Sequence, residues 1–493
     1  MKGDFQARFC ERLRVKFPLP TRLRDVAINT KKETKMKKPI LLIIVITLTF
    51  FSCQKGNSKD YVILSGKIEN PNSDSLSILN KNQDLVKVIY LKKDSTFRDT
   101  LNVSEGFYSL SDGTENTKIY LKPKFDLNIN INAKKFDESI IYEGIGSNEN
   151  NYLVKKYLLE ESFGKLRYYG YYAKLSEKNF LKLTDSLYNV QINFLNNYPN
   201  LDEDFRFIES KSLEFEKLRK YSNFEGMKRF VTGNKDFKVS ANYPNPFTNV
   251  DLSNEKLLIS PNYLFYIQSY LKNLTNKNIN KDDKNVDHTL QYEKTIKKEV
   301  QNNKIKEELL YNVGKWELNY TNKLDSVYNE IVPFLTNRKY LNEVTEIYEK
   351  LKKIEKGAVS PIFELKDIEG NIVNLNQLKG KLVYIDIWAT WCMPCIKEIP
   401  SLKKIEKYFE GKDIQFVSIC KSDSKKRWEK MVKEKELGGI QLFAEDENIP
   451  FFIDYNVKGI PRFILIDKEG KIIDGNAKRP SNPKLKEEIE KYL

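Results

Sequence analysis

The chain has one histidine, His288, among 493 residues. It lies in a polar stretch beside Lys281-Asp282-Asp283-Lys284, has no neighbour that suggests a site, and reads as a surface residue. Cysteine is scarce as well: Cys10, Cys53, Cys392, Cys395 and Cys420. The first two lie in or beside a targeting segment. What remains is one pair and one further thiol, which is not a disulfide framework. One Cys pair and one His cannot supply the four ligands of a zinc site, and no metal or other cofactor is expected. The formal charge is +15, but residues 1–52 carry +8 of it, with 12 Lys/Arg against 4 Asp/Glu. The other 441 residues carry +7 and hold no block of arginines interleaved with aromatics, so no nucleic-acid partner is expected. Gly144-Ile145-Gly146 lacks the third glycine and the βαβ context of a nucleotide loop.

What the sequence does have is Trp388-Ala389-Thr390-Trp391-Cys392-Met393-Pro394-Cys395. An apolar run, Leu382 to Ile387, precedes it and a helical pattern follows. The order is buried strand, tight turn, helix. Cys392 therefore falls at a helix N-terminus, where the macrodipole and free N–H groups favour a thiolate. Such a thiolate attacks a disulfide sulfur, and Cys395 resolves the mixed disulfide. A purely structural disulfide in so short a ring would constrain little.

These residues resemble the thioredoxin superfamily, and more closely its TlpA/ResA-like branch of envelope thiol-disulfide oxidoreductases. The resemblance runs from about Ser360 to Leu493. It is carried by Ser360-Pro361-Ile362-Phe363, Gly380-Lys381, the Trp-Cys-Met-Pro-Cys core, Glu398-Ile399-Pro400 and Gly459-Ile460-Pro461. It implies an α/β thioredoxin-like fold for 356–493, with a cis Pro461 facing the dithiol. Trp391, Met393, Pro394, Ile460 and Pro461 would then line a substrate groove in which backbone pairs with an incoming chain. It also implies roles for two carboxylates. Asp386 matches the buried aspartate of thioredoxins, and Glu398, one turn after Cys395, matches the glutamate of TlpA/ResA-like proteins. Many members of that branch lack an acid at the Asp386 position, so the pair is a mixed signature. Trp388 and Trp391 are packing and docking residues on the same resemblance. Cys420 ends a strand near the active-site side and reads as a buried free thiol.

The leader carries a second resemblance. Residues 1–35 are basic, lack an apolar run and read as an over-extended start before Met36. Residues 36–52 hold a basic start, an apolar run from Ile40 to Phe51, and Ser52 before Cys53. That run has signal-peptide length and is too short to span a bilayer comfortably. It resembles a bacterial lipoprotein signal, with Cys53 as the lipidated first residue and 53–59 as a tether. The chain would then face the cell envelope outside the cytoplasm, periplasmic and membrane-anchored, where disulfide chemistry is expected.

Between leader and dithiol, residues 60–146 show short alternating segments such as Leu127 to Asn132, separated by turn clusters. They read as a mostly antiparallel β-sandwich-like domain. They resemble the β-rich domain that precedes thioredoxin modules in many Bacteroidota lipoproteins. Residues 147–355 change to helical period: Phe180, Leu183, Leu187, Val190 and Phe194 make one apolar stripe. The tyrosines Tyr168, Tyr169, Tyr171 and Tyr172 read as packing for a helical bundle.

The expected function is reduction of protein disulfides, of the kind that serves cytochrome c maturation, with apocytochrome c as one client and an envelope thiol as electron donor. Two alternatives stand beside it. A peroxiredoxin-like peroxidase would use Thr390 ahead of Cys392, although the second Cys and Trp391 fit thioredoxin better. A binding lipoprotein would capture its ligand with the residues before the redox module.

Overall fold

The computed structural model describes residues 60–279, 286–446 and 448–493. The leader, with Cys10 and Cys53, and the connector Lys281–Lys284 lie outside the described residues. The chain divides into two compact units, Met1–Pro244 with Ile259–Pro261, and Asn245–Leu258 with Asn262–Leu493. The helical stretch is thus shared between them.

The first unit opens with eight strands: β1 (Val62–Glu69), β2 (Ser75–Leu79), β3 (Leu85–Tyr90), β4 (Thr96–Leu101), β5 (Gly106–Ser111), β6 (Asn116–Leu121), β7 (Asp126–Asn132) and β8 (Ile141–Ile145). They form two four-stranded sheets, ordered β4-β1-β7-β8 and β3-β2-β5-β6. All pairings are antiparallel except β1 with β7. β7 alternates buried and exposed residues, as a half-buried strand should. Leu64, Leu76, Leu110, Ile119 and Ile129 share one core with Tyr152 and Phe205 of the helices α1 (Ser147–Ser162) and α3 (Glu203–Thr232). Gly146, the residue before α1, has φ +94, and a Cβ there would come within 2.2 Å of the Phe125 ring. Only glycine fits both demands. Helix α2 (Glu177–Asn197) starts at Ser176, whose hydroxyl accepts from the Asn179 N–H, and ends two residues before Pro199. It buries Phe180, Leu183 and Leu187 on one stripe. Of the four tyrosines, Tyr172 enters this helical core, whereas Tyr168 and Tyr169 remain exposed.

The second unit holds α4 (Pro261–Asn278) from Asn262 on, α5 (His288–Glu299), α6 (Asn303–Asn312), α7 (Leu324–Ile331) and α8 (Arg338–Lys353). His288 is exposed at the start of α5. Next comes a mixed sheet of β9 (Glu364–Asp367), β10 (Ile372–Asn374), β11 (Leu382–Trp388), β12 (Ile414–Cys420), β13 (Ile440–Phe443), β14 (Arg462–Ile466) and β15 (Ile472–Asp474). Its order is β10-β9-β13-β12-β11-β14-β15. β11 is parallel to β12 and antiparallel to β14, and all seven of its residues are buried. A near-continuous apolar run suits a strand covered on both faces. Helix α9 (Met393–Tyr408) packs Leu402 against Leu382, Tyr384 and Phe463, together with Leu485 and Ile489 of α11 (Lys484–Glu490). A second cluster joins Trp388, Cys392, Cys395 and Cys420 to Trp428 and Val432 of α10 (Lys425–Glu434). Among the described residues, no helix is long and apolar enough to cross a membrane.

Candidate active site

The site is the junction of β11 and α9. The strand is held on both sides by the sheet, so the turn that follows starts from a fixed point. Three bonds tie that turn to residues 421–423. The Thr390 N–H donates to an Asp423 carboxylate oxygen at 2.5 Å, the Trp391 Nε1–H donates to the Ser422 carbonyl at 2.8 Å, and the Lys421 N–H donates to the Trp388 carbonyl at 2.9 Å. Asp423 is also paired with Arg427, whose Nη2 lies 3.0 Å away. Burial alone would raise the Asp423 carboxyl. The hydrogen bonds from Thr390 and Ser424 and the one from Arg427 outweigh it and hold the group below the usual carboxylate range.

Cys392 is the residue before the first turn of α9, in extended conformation, and its sulfur accepts the Cys395 N–H at 3.2 Å. Pro394 occupies the first turn, where a missing N–H costs nothing. Cys392 and Cys395 are joined in a disulfide, with their Cα atoms 5.3 Å apart. The backbone thus distinguishes the two sulfurs: a Cys392 thiolate would receive an N–H and the helix dipole, while Cys395 lies inside the helix. Trp391 and Met393 flank the pair and are 58% and 55% exposed, whereas Cys392 and Cys395 are nearly closed off from solvent. The Ile460–Pro461 peptide is cis, and Ile460 packs against the cluster that holds both cysteines.

Asp386 is buried in β11, beside Ser418 of β12 and Phe463 of β14 in register. Its Oδ1 has no hydrogen-bond partner. Burial pushes its carboxyl up to about 8, with smaller pushes from Glu398 and Glu406. Asp386 and Cys395 line one recess of about 10 Å³, room for roughly one water. The structure treats Glu398 differently. It is buried rather than solvated, and both oxygens are engaged by Ser481, one by its N–H and one by its hydroxyl, each at 2.9 Å. It does not line the recess with Cys395. Cys420 is fully buried, and burial together with Asp423 raises its thiol far above the usual range, so it stays a neutral thiol.

Sequence reading missed Asp423 and Glu406. Asp423 precedes a helix and looks like an ordinary cap; its bond to Thr390 spans 33 residues and leaves no local signal. Glu406 sits among lysines on α9 and reads as a solvated position, yet it lines the Asp386 recess.

The family model described as Redoxin matches residues 355–493. The chain is 30% identical over 142 residues to the thiol-disulfide oxidoreductase ResA of Bacillus cereus (strain ZK / E33L), covering 29% of this chain and 79% of that protein. This chain belongs to the TlpA/ResA-like thioredoxin superfamily. ResA of Bacillus subtilis (strain 168) is 31% identical over 123 residues, 25% of this chain and 67% of that protein. A solved thioredoxin domain of a thiol-disulfide oxidoreductase from Bacteroides vulgatus is 30% identical, covering 28% of this chain and 97% of that one, with a TM-score of 0.26. The TlpA/ResA-like module is a thiol-disulfide oxidoreductase, and its match is confined to the last third of the chain. Among the described residues, no group of three or more His, Cys, Asp or Glu could hold a metal ion.

Proposed function

We propose that this oxidoreductase reduces disulfides of client proteins in the cell envelope through the Cys392–Cys395 dithiol, tethered to a membrane by lipidated Cys53. The observation that carries the reading is the inequality of the two sulfurs: one accepts an N–H at a helix start, the other shares a recess with a protonatable carboxyl. In the reduced enzyme, the Cys392 thiolate attacks a client disulfide and one client sulfur leaves as a thiolate. Asp386, across roughly one water, takes the proton of the Cys395 thiol. The Cys395 thiolate then attacks the Cys392 sulfur, the client leaves as a dithiol, and two electrons have passed to it. Trp391, Met393, Pro394, Ile460 and Pro461 form the groove in this reading, with Trp391 and Met393 offering exposed apolar contact. Asp423 is a positioning residue that fixes the turn before Cys392. Glu398 acts through its tie to Ser481 and its push on Asp386 rather than by meeting the thiols.

Cytochrome c maturation, with apocytochrome c as client and an envelope thiol as electron donor, is the physiological setting we propose from the resemblance to ResA. The boundaries 1–35, 36–52, 53–59, 60–146, 147–355 and 356–493 belong to the same proposal. Residues 60–355 would hold the redox module away from the membrane or present clients to it. The test is the reduction potential of the dithiol in the full chain, read by thiol trapping in glutathione buffers. A value near about −270 mV supports a reductase, and one near about −120 mV refutes it in favour of a disulfide donor.

A further inference from the structure

The recess shared by Cys395 and Asp386 has a second acidic wall. Glu406, three turns along α9 from Cys395, lines it together with Lys403, Ser418 and Gln441. Three buried acceptors there have no hydrogen-bond partner: Asp386 Oδ1, Glu406 Oε1 and Gln441 Oε1. Buried acceptors without donors are rare, because each costs free energy unless a proton or a water satisfies it. The recess has room for roughly one water, which leaves at least one acceptor to be met by a carboxyl proton. The two carboxyls also differ in their access to solvent. Asp386 is buried, whereas Glu406 lines the recess but is only partly covered, with its Oε1 buried.

We propose that Glu406 is the outer half of the proton path: it exchanges protons between solvent and Asp386, which exchanges them with Cys395. This rests on the reading of Asp386 as the proton partner of the resolving thiol. A dithiol reduces the oxidised enzyme in two displacements. One reductant thiolate attacks the Cys392 sulfur, the Cys392–Cys395 bond breaks, and Cys395 leaves as a thiolate. That thiolate takes the Asp386 proton, and Asp386 is reloaded through Glu406 from solvent. The second reductant thiol then displaces Cys392, and the reductant leaves as its cyclic disulfide. Glu406 touches neither sulfur in this scheme and is a positioning residue for the Asp386 proton. The groups that line the recess with Asp386 are Cys395, Lys403 and Glu406 from α9 and Ser418 from β12, and those that act on it through charge alone are Glu398 of α9, Cys420 of β12 and Tyr384 of its own strand. Of these, Glu398 and Glu406 hold the Asp386 carboxyl up beyond what burial does, and Lys403 opposes burial at Glu406.

The experiment uses the oxidised full chain, mixed with dithiothreitol, with the first-order rate read by tryptophan fluorescence from about pH 6 to about pH 9. Each variant is expressed as a ratio to wild type, which cancels the titration of the reductant. Glu406→Gln keeps the shape and removes the titrating proton. Its ratio is expected to stay near one at about pH 6, where Asp386 is protonated in both proteins, and to fall several-fold by about pH 9. Glu406→Asp is expected to restore most of the loss. A Glu406→Gln ratio that is flat across the range overturns the proposal. Asp386→Asn separates the two layers. If it abolishes the pH-dependent step while Glu406→Gln is flat, only the Glu406 role falls. If its profile parallels wild type, Asp386 is not the proton partner and both readings fall.

Discussion

Replacing Asp386 by Asn should make the oxidised protein more stable and the enzyme slower, and the stability gain should depend on pH in a definite way. Asp386 ionises near 3.8 when unfolded, but burial between β12, β14 and α9 raises its folded value to about 8. Between these two values the unfolded chain has released a proton that the folded chain still holds. The unfolded state then binds fewer protons, so stability falls as pH rises from about 4 to about 8 and is level on either side. The slope is about 1.4 kcal/mol per pH unit while that difference is complete. From about pH 5 to about pH 8 the cost therefore accumulates to at most about 4 kcal/mol. Asn cannot ionise, so the difference in stability between D386N and wild type should grow over that interval by the same amount. The oxidised form is the right one to measure, because neither Cys392 nor Cys395 then titrates. Urea unfolding followed by tryptophan fluorescence is the assay, and all four tryptophans, Trp316, Trp388, Trp391 and Trp428, belong to the second unit. A difference that is constant with pH would refute the reasoning. The same variant should slow thiol-disulfide exchange by roughly 100-fold or more, the usual worth of a positioned acid or base. Stabilisation together with inactivation would mark Asp386 as a carboxyl kept for chemistry at a cost in stability.

Other substitutions separate the roles around it. Ser481→Ala removes the hydroxyl that meets Glu398, leaving one buried carboxylate oxygen bare, and should lower stability by about 1–3 kcal/mol with little change at about pH 6 in exchange rate. Asp423→Ala frees the Thr390 N–H and Arg427 together; it should slow client reduction more than it lowers the urea midpoint, as read by insulin turbidity against unfolding curves. Cys420→Ala should leave the potential and exchange rate unchanged, because its thiol is held neutral and hidden; a shift in trapped-thiol potential would make it a third redox group. Cys395→Ser should accumulate mixed disulfides with clients, visible on non-reducing gels, whereas Cys392→Ser should form none.

How far the site could be read from sequence depends on the distance between partners. Cys392, Pro394 and Cys395 lie within four residues, and the strand before and helix after them have clear periodicities, so their geometry was legible. Asp386 was legible through the resemblance, as the match to the buried aspartate of thioredoxins. Glu398 was legible as an acid one turn after Cys395, but its partner Ser481 is 83 residues away. That tie to Ser481 therefore could not be read from the local sequence. The β-rich region behaved likewise. Long alternating strands such as β7 stood out, while β2 and β4, rich in serine, threonine and charge, were identified only by their pairing. The parallel pairing of β1 with β7 has no local signature at all, since register is a property of two segments together.

The same contrast explains why the chemistry concentrates where it does. A thiolate at Cys392 is stabilised by groups that any strand–turn–helix junction provides, an N–H and a dipole, and so it needs only local sequence. In the proposed mechanism Cys395 gives its proton to Asp386 inside a recess that is lined from β11, β12, β13 and α9 at once. On that proposal the module divides the reaction between a nucleophile written into one short stretch and a proton path built by the tertiary fold. Mutations in the stretch should abolish exchange outright, whereas Glu406→Gln should leave reduction of the oxidised enzyme near wild type at about pH 6 and slow it as pH rises, because only at higher pH must Asp386 be reloaded within the reaction.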